Sequence, residues 1–186
     1  MEELKEYNVK WDPDLDFEDF SKEVLVKLLR EYQTLLIALD GFYQTTITKR
    51  HSIDETMKCA EQVWAKYAAL EVPRIREILN IEGDDVESYF KVQQFLPSSP
   101  NHVFPRKFEL ENPNLGTMTF LRCLNLEWME KKAPERIVPT CQELEKPALE
   151  GYTRMVNPKI KVTGLKVPPR KSPDEVACKW EFRLEE

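Results

Sequence analysis

The chain has 186 residues, of which 41% are hydrophobic and 10% aromatic, so it is long and apolar enough to fold around a full core. Its 33 acidic and 27 basic residues give a formal net charge of −6, which argues against a dedicated nucleic-acid-binding protein because such proteins carry a basic patch. The sequence shows neither the basic and apolar regions of a signal peptide nor an apolar run long enough to cross a membrane. It therefore predicts a cytoplasmic protein with no membrane partner.

The first predicted element is a long helix in residues 17–43. Apolar side chains recur there every three or four residues, from Phe17 through Leu28 and Leu35 to Tyr43, which is the spacing of a helix face. We therefore expect one long helix packed in the core.

A second helix is predicted to begin after Ser52. Ser52 and Glu55 have the spacing of a capping box, in which the serine oxygen accepts a backbone N–H bond at the start of a helix. Five apolar side chains of this helix are expected to point inward: Met57, Ala60, Val63, Trp64 and Tyr67. Pro73 is expected to begin a further helical piece, and Gly83 precedes another, which ends before the Pro/Ser-rich residues 96–100.

Beyond residue 102 the apolar pattern changes from helical spacing to alternation. Residues typical of a turn occupy positions 112–116 and separate two segments in which apolar and polar residues alternate. An irregular Pro-rich loop at residues 168–173 separates two further segments of this kind. The predicted strands form two hairpins: residues 102–111 with 117–123, and residues 159–163 with 178–184.

Short helices are predicted between these hairpins, around residues 124–132 and from Pro139 onward, where Pro147 divides or kinks the second helix. This order predicts an α+β fold, in which a helical N-terminal half is followed by a small antiparallel sheet of two hairpins with intervening helices. We expect a single domain with these bounds: residues 1–186 in all, helical over about 17–96 and α+β over about 102–186.

Three of the four cysteines lie in the last third of the chain, on three different predicted elements. Cys123 ends a strand, Cys141 opens a helix and Cys178 begins the last strand, whereas Cys59 lies on an apolar helix face and is expected in the core. The cytoplasm keeps thiols reduced, so we do not expect a disulfide framework. If the three elements pack together, the thiols form a soft-metal site, a nucleophile with helpers or a thiol-rich core.

As a metal site, the three cysteines would bind zinc, with iron as the alternative. The fourth ligand would come from His102, Glu143 or Glu145. The chain has no Cys-x-x-Cys pair, and the cysteine spacing matches no compact zinc motif. Because free cysteines also serve as small buried hydrophobes, the metal and core interpretations both stay open.

As a catalytic site, the best nucleophile would be Cys141. It follows Pro139 near a predicted helix N-terminus, where unpaired N–H groups lower the pKa of a thiol, although Glu143 and Glu145 oppose the thiolate. Arg122 would anchor a substrate carboxylate through its planar guanidinium group.

Three further residues are candidates for ligand binding. Asp40 lies in the apolar stretch of residues 36–43, where it could be a pocket carboxylate with a raised pKa. Alternatively, it lies on a solvated polar face or pairs with a base such as Arg122. Trp128 and Trp180 are expected to line an apolar pocket. The chain has no Ser-His-Asp order, phosphate-binding loop or dinucleotide fingerprint, which removes most common cofactor enzymes from consideration.

Short motifs of the C-terminal third carry a resemblance to known families: Arg122-Cys123, Val138-Pro139-Thr140-Cys141, Tyr152, Asn157-Pro158-Lys159-Ile160, Pro168-Pro169 and Cys178-Lys179-Trp180-Glu181-Phe182. In these motifs, and in Leu39-Asp40-Gly41 and the Trp64 helix, the chain resembles an uncharacterised prokaryotic family of unknown function over nearly its whole length. The last third is distantly similar to the L-2-amino-thiazoline-4-carboxylic acid hydrolases. That resemblance implies ring opening at a C–N or C–S bond, with a role for the three late cysteines. At the level of fold alone, the layout resembles four-vinyl-reductase-like domains, which implies a cysteine-rich zinc site beside an apolar pocket.

Three functions follow from these observations. The first is a small-molecule-binding domain with a thiolate-rich metal site. The second is a hydrolase of a small cyclic substrate that uses Cys141 or a metal-bound water. The third is a non-catalytic accessory or interaction subunit, including a homo-oligomer, which the many aromatic residues and the Pro-rich loop would suit.

Overall fold

The computed structural model describes residues 3–8 and 10–185, and it begins its regular structure with two long helices. Helix α1 (Lys22–Arg50) follows a short 3₁₀ turn at Phe17–Asp19, and helix α2 (Ile53–Leu79) follows α1 after only two residues. The helix start predicted at Ser52 is confirmed, because the Ser52 hydroxyl oxygen accepts a hydrogen bond from the Glu55 N–H at 3.1 Å. α2 ends at Asn80, whose φ of +48° is the left-handed conformation common after a helix.

The prediction of a separate helical piece at Pro73 is wrong, because α2 continues through this residue. A proline inside a helix removes one N–H donor and leaves the carbonyl four residues earlier, here that of Ala69, without its helical partner. Both Pro73 and Ala69 are exposed, so water can hydrate that carbonyl and the helix is not interrupted.

The prediction that the first helix is a core helix is also wrong. No described residue of α1 is buried, and several of its large apolar side chains are more than half exposed. On α2, Val63 is likewise exposed rather than inward, whereas Ala60 is buried as predicted. Helical spacing in a sequence predicts a helix. When a helix has two apolar faces, the spacing does not show which of them the rest of the chain covers.

A four-stranded antiparallel sheet forms the second half of the fold. Its strands, in the spatial order β1-β2-β4-β3, are β1 (Arg106–Asn112), β2 (Leu115–Phe120), β3 (Ile160–Lys166) and β4 (Cys178–Leu184). The two predicted hairpins are β1–β2 and β3–β4, and they are joined through β2 and β4, where Met118 lies opposite Trp180 and Phe120 lies opposite Cys178. The predicted α+β class is therefore confirmed.

Short helices connect and cover the sheet. They are α3 (Val86–Gln93) before β1, and α4 (Leu124–Lys132), a 3₁₀ turn (Pro134–Arg136), a π-helical turn (Pro139–Leu144) and α5 (Glu145–Arg154) between β2 and β3. The region around Pro147 is divided as predicted, since the π-helical turn passes into α5 at Glu145. The core lies between these helices and one face of the sheet, with Tyr89 and Phe90 of α3 packed on Phe182 of β4. None of the helices in the described ranges is long and apolar enough to cross a bilayer.

Candidate functional site

A cavity of about 170 Å³, partly open to solvent, lies where α1, α2, α5 and the π-helical turn meet the sheet. Its walls are mainly apolar and include Trp64, Phe104, Phe120 and Trp180. No lysine, arginine or histidine among the described residues lines it. The polar groups that line it are instead acids, thiols, hydroxyls and amides, so the cavity carries negative or neutral chemistry.

The three late cysteines all line this cavity, although they come from different elements. Cys123 caps α4, where its Sγ accepts a hydrogen bond from the Leu126 N–H at 3.5 Å. Cys141 lies in the π-helical turn, and Cys178 opens β4, where its Sγ accepts a hydrogen bond from the Trp180 Nε1 at 3.3 Å. Cys59 is half-buried on α2 and does not line the cavity.

The surroundings of these thiols favour their protonated form. Burial, with Glu145 nearby, raises the pKa of Cys123 to about 11. Burial and then the charges of Glu145 and of neighbouring thiols also raise the pKa of Cys141 and Cys178 far above the ordinary value. For Cys141, burial therefore outweighs the lowering of the pKa that a helix N-terminus would bring. All three groups are neutral thiols at pH 7 in the metal-free protein.

Two carboxyl groups line the same cavity, one from α1 and one from α5. Burial raises the pKa of Asp40, on α1, to about 6. Two smaller effects lower this pKa: the hydrogen bond that Gln44 Nε2 donates to the carboxylate at 2.6 Å, and the positive charge of Arg136. Burial alone raises the pKa of Glu145, at the start of α5, to about 7. Asp40 is thus a cavity carboxyl with a raised pKa, and the base near it is Arg136 rather than Arg122.

The cavity residues supply the right donor types for a soft metal, but not a preformed set of ligands. Within residues 3–8 and 10–185, no group of three or more His, Cys, Asp and Glu side chains stands close enough together to hold a metal ion. Cys123, Cys141, Cys178 and Glu145 share the cavity, so metal ligation by them stays a prediction. His102 is not among the cavity residues, since its exposed ring contacts Thr34 Oγ1 at 3.1 Å and the Arg30 carbonyl at 3.0 Å.

Two other predicted site residues lie outside the cavity. Arg122 is exposed, and its guanidinium group pairs with Glu127 at 2.8 Å. Trp128 is 43% exposed and stacks under Arg136, whose guanidinium carbon lies 5.8 Å from the ring centroid. Trp180, in contrast, is almost fully buried and forms part of the cavity wall.

One polar group beside the cavity was missed from the sequence. The Glu71 carboxylate, buried on α2, accepts hydrogen bonds from the Ser98 N–H and hydroxyl, both at 2.7 Å, and from the Tyr152 hydroxyl at 3.0 Å. Ser98 and Tyr152 both line the cavity. A signal was present, because Glu71 sits between the apolar residues of one helix face, next to Val72 and three residues after Ala68.

Comparisons with known proteins identify one family. Residues 18–184 match the model of the family described as Family of unknown function (DUF6125). This match supports the predicted resemblance to an uncharacterised family, and it lends no support to the resemblances to the hydrolases or to the vinyl-reductase-like domains. No curated protein and no solved structure matches the chain.

Proposed function

The chain belongs to this family of unknown function, and we propose that it is a cytoplasmic small-molecule-binding protein whose partly open cavity takes a small organic cation, such as a protonated amine. The observation that carries the proposal is the cavity lining. Two carboxyl groups and several aromatic side chains line a largely apolar cavity, and no cationic side chain of the described residues lines it.

The volume limits the ligand to a small compound. An engineered apolar cavity of about 150 Å³ is known to bind benzene, so a cavity of about 170 Å³ suits a molecule with roughly six to ten non-hydrogen atoms. A single ring with a short substituent fits this limit. A larger ligand would extend through the open side of the cavity into solvent.

The charge of the lining favours a cation over an anion. The half-buried carboxyl groups of Asp40 and Glu145 lose part of their hydration, and a cationic ligand would be a favourable partner for their charged forms. Trp64 and Trp180 add aromatic faces, which attract cations. An anionic substrate such as a thiazoline carboxylate would instead need a base in the cavity, and Arg122 is not there.

A soft metal ion is the second candidate occupant. Burial, and then Glu145 and neighbouring thiols, raise the pKa of Cys141 and Cys178, and a zinc or iron ion would stabilise their thiolates by replacing their protons. Cys123, Cys141, Cys178 and Glu145 would hold such an ion, with zinc as the first choice for a thiolate-rich set. The hydrolase hypothesis depends on this candidate, because without a metal the Cys141 thiol is a poor nucleophile at neutral pH.

The experiment that tests the proposal compares three probes of similar size and different charge. Benzylamine, benzyl alcohol and benzoate are each added to the metal-free protein, and binding is followed by calorimetry and by the thermal midpoint. We expect benzylamine to bind and to raise the midpoint, and benzoate to do neither. The Asp40→Asn and Glu145→Gln variants should each weaken benzylamine binding, whereas Glu143→Gln, which changes an exposed acid in the same region, should not. Equal binding of benzoate would contradict the proposed charge preference.

Elemental analysis of protein purified without added metal tests the second candidate. Zinc or iron near one equivalent, lost in the Cys123→Ser and Cys178→Ser variants and kept in Cys59→Ser, would favour the metal site. Protein with no metal that also fails to take up zinc in competition with a chromophoric chelator would contradict it.

A further inference from the structure

The cavity carboxyl group of Asp40 is connected to a buried cation through one side-chain amide. Gln44 lies one turn after Asp40 on α1, and its Nε2 donates a hydrogen bond to Asp40 Oδ2 at 2.6 Å. The other end of the same amide, Oε1, accepts a hydrogen bond from a guanidinium nitrogen of Arg136 at 2.7 Å. Arg136 belongs to the 3₁₀ turn, 92 residues after Gln44, so only folding brings the three side chains together.

Arg136 is buried without a carboxylate of its own. Only 6% of its surface is exposed, and its guanidinium group lies over the Trp128 ring. The arginines of the described residues that form ion pairs are Arg122, Arg154, Arg170 and Arg183. Arg136 is not one of them, and its Nε has no hydrogen-bond partner in the described part of the chain. A buried cation with an unsatisfied N–H costs stability, so packing alone does not account for this arginine.

The amide between the two charges leaves part of Asp40 open to a ligand. A direct arginine–carboxylate pair is frequently bidentate and then occupies both carboxylate oxygens. Because the Gln44 carbonyl oxygen accepts from Arg136, the Gln44 NH₂ group is turned toward Asp40, where it binds Oδ2 alone. Among residues 3–8 and 10–185, Oδ1 has no hydrogen-bond partner. One oxygen is thus held in place, and the other is left to accept a hydrogen bond from an occupant of the cavity that Asp40 lines.

The same arrangement favours the charged form of Asp40. Burial raises the pKa of Asp40, whereas the hydrogen bond from Gln44 and the charge of Arg136 both lower it. The other titratable groups that line the cavity are Glu145, Tyr152, Cys123, Cys141 and Cys178. Each of these is neutral or negative, and Glu135 is a further acid next to Arg136. Arg136 is therefore the positive charge that supports the Asp40 carboxylate.

We propose that Arg136 and Gln44 are positioning residues, which hold Asp40 as an oriented carboxylate whose Oδ1 accepts an N–H bond from the cationic ligand. Arg136 does not line the cavity, so it acts on the ligand through Gln44 and Asp40. This inference rests on the function proposed above. It narrows the ligand to an ammonium ion that keeps at least one N–H.

Titration of the ligand-free protein by carbon-13 NMR tests the positioning without any ligand. The Asp40 carboxyl resonance is the one that disappears in Asp40→Asn, and its midpoint is measured in Gln44→Met and in Arg136→Met. We expect both substitutions to raise the midpoint by about 0.5–1 pH unit, because each removes a group that favours the carboxylate. Midpoints that stay at the wild-type value would overturn the proposal.

Two further variants are matched controls. Gln33→Met makes the same change on α1 about three turns earlier, at a half-buried position that does not line the cavity. Lys66→Met removes an exposed positive charge from α2. Neither should move the Asp40 midpoint, and equal shifts in the controls would contradict the proposal. Circular dichroism checks folding, and Gln44→Met tests the same contact should Arg136→Met fail to fold.

Calorimetry with benzylamine measures the effect on the ligand. At pH 7 we expect Gln44→Met and Arg136→Met each to raise the Kd about fivefold to tenfold, and the two controls to change it less than about twofold. The ratio of variant to wild-type Kd should fall between pH 6 and pH 8, because Asp40 becomes ionised in every protein. A ratio that does not change with pH would indicate a structural role alone and overturn the proposal. If the wild type does not bind benzylamine, the proposed function fails, and the NMR midpoints still decide whether Arg136 and Gln44 control Asp40.

Discussion

Glu145 is a cavity residue whose pKa, and therefore whose charge, is set by burial. It lies at the junction of the π-helical turn and α5, where burial raises its pKa from 4.5 to about 7. Its ionisation therefore falls in the range in which the protein would meet a ligand. An occupant that carries a positive charge would pull this pKa down and release a proton on binding.

The raised pKa of Glu145 predicts how stability depends on pH. The folded protein holds the proton up to about pH 7, while the unfolded chain loses it near pH 4.5, so the free energy of unfolding falls as the pH rises through this window. Glu145→Gln removes the ionisation. We expect this variant to be more stable than the wild type at pH 8 by on the order of 1–3 kcal/mol, with a smaller difference at pH 5. Urea unfolding at both pH values measures it, with Glu143→Gln as the control.

The cavity thiols make a second prediction at the level of single residues. Cys123 has a pKa of about 11, and burial also raises the pKa of Cys141 and of Cys178, so all three thiols are largely protonated at pH 7.5. After removal of metal with a chelator, we expect iodoacetamide to modify these three at least tenfold more slowly in the folded protein than in the unfolded chain. Peptide mapping by mass spectrometry measures each site. Rapid modification of Cys141 in the folded state would instead favour its role as a nucleophile.

Among the elements, strand β2 is held close to its neighbours by one glycine. A Cβ added to Gly116 would lie 2.7 Å from the Phe90 ring, 2.8 Å from the Glu109 carbonyl oxygen and 2.9 Å from a Leu110 methyl carbon. The carbonyl belongs to the backbone of β1 and cannot rotate away. The hairpin and α3 therefore approach as closely as they do only because this position has no side chain.

A matched pair of substitutions tests this close approach. Gly116→Ala should destabilise the protein by about 1–3 kcal/mol, because the added methyl group forces the strands or α3 apart. Gly151→Ala places the same group in α5 with no atom within 4 Å, so it should be neutral or stabilise by up to about 1 kcal/mol through helix propensity. Thermal or urea unfolding of both variants measures the difference, and equal effects would contradict this account.

At the scale of the whole molecule, the buried Glu71 carboxylate ties distant segments together. Its three hydrogen bonds join α2 to the Ser98 loop and to Tyr152 of α5, which are 27 and 81 residues away in the sequence. These segments also border the cavity. The network therefore fixes the relation between the helical half and the α+β half.

Removal of this carboxylate should loosen the whole fold. Glu71→Ala leaves the Ser98 N–H without its acceptor and leaves the Tyr152 hydroxyl with Ser98 Oγ, at 3.0 Å, as its remaining partner, so we expect a loss of about 1–3 kcal/mol in the free energy of unfolding. Glu77→Ala, at an exposed position of the same helix, should change it by less than about 0.5 kcal/mol. Urea denaturation measures both, and similar small losses in the two variants would show that the network is not structural.

Local sequence patterns were enough to predict most helices and strands and much of their order. Helix starts such as Ser52, the two hairpins and the elements that carry Cys123, Cys141 and Cys178 depend on neighbours a few residues apart, and local patterns record such interactions. The family resemblance over nearly the whole chain was also visible in the motifs. Asp40 stood out because a carboxylate in an apolar run needs an explanation.

Only the tertiary structure decided which faces and side chains meet. It left α1 without buried residues and the outer face of α1 uncovered, and α2 continued through Pro73 because water reaches the freed carbonyl. It placed Glu145 and Trp180 in the cavity and put His102, Arg122 and Trp128 outside it. The physical reason is that burial and convergence depend on the packing of segments far apart in the chain, about which a local apolar pattern carries no information.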